Sequence, residues 1–206
     1  MNLTNKPMKR LSLYLFLILF TLQAPSLADD ISDFQIEGVD ITNSLLDFFT
    51  EEDIKKYAGY IYPSKKFQLI NLDSSELVNN DIYDNVQASF KPKDKNYEIY
   101  SIDGMIYYNS NFKECYSTKN KIVDEIKEMF TSIEQKNLAP FKHNADPSGE
   151  TIIHSTNFEF KSGAIISVGC TDWKEELTKN NGWKDSLRVS IVSKEFFHFT
   201  TYEAYN

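Results

Sequence analysis

The chain is poor in the residues that usually announce a chemistry. Among its 206 residues are two cysteines and three histidines. Cys115 and Cys170 have no second cysteine or histidine at ligand spacing, which removes the common zinc patterns. His143, His154 and His198 pair with no histidine or glutamate at metal-binding spacing. The sequence holds no nucleophile elbow, phosphate-binding loop or dinucleotide fingerprint. No cofactor is expected, and enzymatic activity is disfavoured. A triad assembled from distant positions remains open, because triads are defined by geometry.

Arginine is scarce as well. Past Arg10 the only one is Arg188, whereas Lys, Asn, Ile, Tyr and Phe are plentiful, a bias that an AT-rich genome produces. The formal net charge is −8. Such a chain is repelled by phosphate backbones and by anionic membrane surfaces, so no nucleic-acid partner is expected. The acids are interspersed with lysine, as on a solvated surface.

What is present begins with an export signal. Lys6, Lys9 and Arg10 precede the apolar run Leu11 to Leu22, and Ser26-Leu27-Ala28 puts small residues before a cut at Asp29. The run is shorter than the roughly 20 residues of a membrane span. An uncleaved anchor is the alternative. No cysteine follows for lipidation, and no later stretch could span a membrane after signal cleavage. The expected mature protein is therefore a single domain over 29–206, periplasmic or secreted, with a charge near −11. In an oxidising compartment, two cysteines favour a Cys115–Cys170 disulfide over two buried thiols.

The expected fold class is α+β: antiparallel sheet with helices packed on one face, in the order helix, three strands, helix, three strands, helix. That order suggests two helix–three-strand units, with halves at 29–110 and 111–206. Ser44 with Asp47, and Thr50 with Asp53, have capping spacing and predict short helices over 43–58. Strands are expected at 66–72, 85–90 and 97–108, the last with a turn or bulge at Asp103-Gly104. Ile122, Val123, Ile126, Met129, Phe130 and Ile133 form one apolar stripe, predicting a helix over 117–134. Residues 136–150 read as a loop. A hairpin follows over 151–170, then a strand over 186–193 with Leu187, Val189 and Ile191 inward. A helix is expected from Lys194.

Binding candidates are the tyrosines Tyr57, Tyr60 and Tyr62 beside Pro63, and Tyr107 and Tyr108 at a strand end. Exposed rings can stack on sugars or fill a protein interface. Asn144, Asp146 and Ser148 place oxygens at positions 1, 3 and 5 of a calcium-type loop. The pattern then fails at Pro147 and at Ser155.

Phe34-Gln35-Ile36-Glu37-Gly38, Ser44 to Phe49 with Glu51, Glu52 and Ile54, Cys115 before a long helix, and Phe158-Glu159-Phe160 with Cys170 and Asp172-Trp173 together resemble uncharacterised small exported proteins of marine bacterial type. The strand, glycine and Ser-Leu-Leu helix ahead of a three-strand meander are also similar to small periplasmic domains of the outer-membrane-assembly lipoprotein type. Those resemblances imply a fold and bring no catalytic residues. The expected function is a non-enzymatic domain binding a protein or envelope component. The alternatives are a hydrolase of an envelope polymer, marked by a cleft with a histidine near a carboxylate, and a small-ligand or calcium module.

Overall fold

The computed structural model describes residues 30–73, 82–108, 112–130 and 132–204; the expected export signal lies outside them. Helix α1 (Glu51–Tyr57) leads into strands β1 (Ala58–Ile61), β2 (Gln68–Asn71), β3 (Asn85–Phe90) and β4 (Ile99–Tyr107). Helix α2 (Phe112–Met129) leads into β5 (Glu134–Asn137), β6 (Phe141–Lys142), β7 (Ile152–Glu159), β8 (Ile165–Asp172), α3 (Glu175–Asn181), β9 (Ser186–Val192) and α4 (Lys194–Tyr202). All nine strands form one antiparallel sheet in the order β1-β2-β3-β4-β9-β8-β7-β5, with β6 also on β7. The order is a palindrome: two four-strand meanders, each preceded by a helix, meet along β4 and β9. The α+β class holds, with units of four and five strands where three were expected. The additional strands, β1, β5 and the two-residue β6, are short and carry no alternating pattern. Pairing with a neighbour sets their conformation.

Caps fix the helix starts. Ser44 and Asp47 form a reciprocal capping box at a 3-10 turn, Leu45–Asp47, and Thr50 caps α1 by accepting from the Asp53 amide. Phe34-Gln35-Ile36 contributes only an isolated bridge from Ile36 to Val39. Helix α2 starts five residues earlier than the stripe predicts and ends at Met129. Phe130 and Ile133 keep to the core beyond the helix end, which is why the stripe overruns it. Strand β4 runs unbroken through Asp103-Gly104, where a turn or bulge was expected. Gly104 is required there by a close approach, since a Cβ would stand 2.6 Å from the Tyr83 ring. The actual register slip lies between Ser89 and Phe90, opposite Tyr100.

Strand alternation sorts the side chains onto two faces. One face carries Ile70, Val86, Ala88, Ile102, Val189, Ile191, Val168, Ile166 and Phe158, covered by Cys115, Val123 and Ile126 of α2 and by Ile54 of α1. Cys115 and Cys170 form a disulfide there, joining α2 to β8 with Cα atoms 6.1 Å apart. The opposite face is polar. Asn71, Gln87, Asp103, Ser190, Ser167, Asn157 and Lys136 lie in one transverse row across seven strands. Helix α4 departs from the expected placement of helices on a single face. Its Phe196 and Phe199 pack on Tyr62 and Phe67, with Leu69, Tyr100 and Val192 beneath, at one end of the polar side. The three phenylalanines and Tyr62 contact one another edge-on or tilted at 4.8–6.0 Å, which suits the ring quadrupoles.

Candidate functional site

The tyrosines separate in space. Tyr57 and Tyr108 pack against the main core, and Tyr62 belongs to the α4 cluster. Tyr60 touches Tyr62 edge-on at 5.2 Å and is 51% exposed. Tyr107 lies on the polar side of β4 with Lys184 Nζ 5.0 Å above its ring. The five therefore form no single surface.

The 144–148 loop is built around its carboxylate. Asp146 Oδ1 accepts from the Ser148 amide at 2.9 Å and from its hydroxyl at 2.7 Å, and Oδ2 accepts from the Thr151 amide at 2.8 Å. These donors hold its pKa well below the usual carboxylate range. Both oxygens that a cation would need are engaged by the loop, and Ser148 serves it as a donor. No His, Cys, Asp and Glu cluster fit for a metal occurs among the described residues.

Each histidine has a different setting. His198 Nδ1 lies 3.2 Å from Glu203 on an exposed helix end. His143 stacks on Trp173, which stacks on Trp183, each pair at 4.5 Å. Burial, then the nearby Arg188 charge, push the His143 pKa down to about 4. Its Nδ1 accepts from the Ala145 amide at 3.0 Å, so the ring is neutral with its proton on Nε2. His154 contacts Tyr116 at 4.9 Å and Phe112 at 6.0 Å. Among the described residues, neither His143 nor His154 hydrogen-bonds a carboxylate.

His154 instead lines a cleft of about 460 Å³ between α2 and strands β5 and β7. At its base stands Lys119, only 8% exposed. Its Nζ donates to Thr156 Oγ1 at 2.8 Å, and Thr156 donates in turn to Asn137 Oδ1 at 2.9 Å. Asn137 Oδ1 also accepts from Gln135 Nε2 at 3.1 Å. The ammonium thus leans on a neutral chain and has no carboxylate partner among the described residues. Burial pulls its pKa below the usual lysine range. Tyr116 forms one wall, and Asp124 and Lys127 lie exposed at the rim.

A buried cation without an anion is costly, and its presence in a lined cleft makes that cleft a candidate site. A second depression, about 610 Å³, is lined by Glu150, Asp172, Trp173, Lys174 and α3. Both its lysines are already paired, Lys174 to Glu150 at 3.0 Å and Glu176 at 3.3 Å, and Lys179 to Glu175 at 2.8 Å. The Lys119 cleft is the stronger candidate. Comparison of the chain with family models, curated proteins and solved structures finds no match.

Sequence reasoning passed over Lys119, although a signal was available. Cys115, Lys119, Val123 and Ile126 are spaced along one helix face, so the lysine interrupts an apolar stripe. The opposite wall of the cleft is strand β5, which spans the end of the expected helix and the start of the expected loop.

Proposed function

We propose that the chain is an exported binding domain. It acts in the periplasm or outside the cell and holds an envelope component in the α2–β5–β7 cleft without transforming it. The observation that carries this reading is Lys119, a buried ammonium whose only bonded partner among the described residues is a hydroxyl. The amino-terminal signal pattern and the Cys115–Cys170 disulfide support work in an oxidising compartment. His154 meets rings and, among the described residues, no carboxylate, so the cleft pairs no histidine with an acid, while its lysine and amides suit holding a ligand.

A photocrosslinker at Leu138, exposed on the cleft rim, tests this inside the native envelope. The expected result is saturable capture of one component, competed by excess free domain and not by its Lys119→Glu variant. Absence of capture, or equal competition by that variant, overturns the reading.

A further inference from the structure

We infer that the cleft is built for an acidic sugar, whose carboxylate meets Lys119 Nζ while its hydroxyls meet the amides of Gln135, Asn137 and Asn120. This rests on the binding reading above and names the ligand class for the same cleft.

The charge of the site selects the anion. One buried ammonium supplies one positive charge, and at the rim Lys127 and Asp124 offset each other. A singly charged carboxylate balances that arrangement, whereas a phosphate dianion leaves a charge over. Thr156 takes one of the three ammonium donors, which leaves two for the two oxygens of a carboxylate.

The remaining groups select what carries the carboxylate. Asn137 uses its oxygen to accept from Thr156 and Gln135, so its amide NH2 points its donors elsewhere. Gln135 spends an N–H on Asn137 and keeps its carbonyl oxygen. Asn120 adds a further exposed amide. Closely spaced amide donors and acceptors match a ligand that presents several hydroxyls, each able to donate and accept. The Tyr116 ring, held edge-on to Phe112 and to His154 at 4.9 Å each, offers a fixed flat wall for the C–H face of a pyranose. An apolar side chain on the ligand would bury these amides unpaired, which is costly.

The test uses the disulfide-bonded mature protein and calorimetric titration with galacturonate, galactose, acetate and a galacturonate trimer. Galacturonate is expected to bind about tenfold or more tightly than either galactose or acetate, the worth of one charge-assisted hydrogen bond. Lys119→Met should erase the preference over galactose while the protein stays folded. Gln135→Ala should weaken galacturonate and leave acetate unchanged. Tighter binding of the trimer assigns the ligand to a polymer, and equal binding assigns it to the free sugar; both support the proposal. Galactose binding as well as galacturonate overturns it, as does a Lys119→Met variant that keeps the preference. Acetate or a peptide carboxylate binding as well as galacturonate removes the sugar and also overturns it. Capture at Leu138 without any uronate binding would sink this inference and leave the binding reading standing.

Discussion

The two faces of the sheet solve the same problem in opposite ways. On the α2 face, side chains such as Ile102, Val189 and Ile166 are fully buried under a helix, and stability comes from removing apolar surface from water. On the other face Ser101, Asp103, Ser190, Ser155 and Asn157 are equally buried, yet all are polar. They satisfy each other sideways. Ser190 donates to Asp103, Ser167 to Asn157 at 2.8 Å, Ser101 to Ser89 at 2.8 Å and Gln87 to Asn71 at 2.9 Å. Buried polarity is tolerated where partners lie along the row. Lys119 breaks the pattern, being a charge on the apolar side whose partner carries none. That contrast is why it is the candidate binding residue and not one more buried polar group.

The comparison is broken most severely by releasing the lid from the apolar face. Replacing Cys115 and Cys170 together by alanine frees a loop of 55 residues between α2 and β8. The chain-entropy account puts the loss at about 4 kcal/mol. Denaturant unfolding should show the midpoint fall with the transition still cooperative, and an unchanged midpoint would refute a structural role for the bridge. Adjacent residues on β9 sharpen the contrast at lower cost. Leu187→Ala should lose about 3 kcal/mol, as a fully buried leucine does. Arg188→Ala, one residue along and exposed, with a weak hydrogen bond to the Met105 sulfur and no carboxylate partner among the described residues, should change stability by less than about 0.5 kcal/mol. Equal losses at the two positions would mean that the faces are not sorted as described.

Much of this sorting was legible beforehand. The β9 alternation, the β3 limits, the 151–170 hairpin and both caps follow from local rules that the packing leaves intact. Strands β1, β5 and β6 were not legible. Their residues, such as Glu-Gln-Lys-Asn, carry no alternation, and their extended form comes from hydrogen bonds to β2 or β7. The palindromic order depends on those short strands, so it too was out of reach. The cleft failed for the same reason, since one of its walls is β5. The side of the sheet chosen by α4 depends on Phe67 and Tyr62 meeting Phe196 and Phe199, a contact between distant parts of the chain.

Acid probes the polar side. His143 is held neutral in the folded state, with its pKa pushed down to about 4 by burial and by Arg188, against an ordinary value of 6.5. Trp173, Trp183, Arg188 and Asp146 are the groups around it. Below pH 6.5 the unfolded chain takes up this proton before the folded one does. The stability is thus complete above about 6.5 and is lost as the pH falls towards 4, by about 3 kcal/mol at most. Comparing wild type with His143→Asn cancels the other titrations. The gap between the two should narrow on going from pH 7.5 to 4.5, and a constant gap would show that His143 is not held neutral.

The smallest expected effect runs the other way. Lys119→Met keeps a long side chain in the α2 stripe and removes a desolvated charge. Thr156 loses a donor to its oxygen but keeps its own bond to Asn137, so no buried donor is left unpaired. The free protein should therefore gain about 1 kcal/mol in thermal or denaturant unfolding. Lys91 supplies the control: its ammonium reaches Glu195 at 2.8 Å and lies over the Tyr100 ring at 4.4 Å, so Lys91→Met should gain nothing. A lysine whose loss stabilises the empty domain and weakens ligand capture is retained for binding at the expense of stability. If Lys119→Met destabilises instead, the ammonium is a structural strut on Thr156, and the apolar face would contain no exception for a ligand to explain.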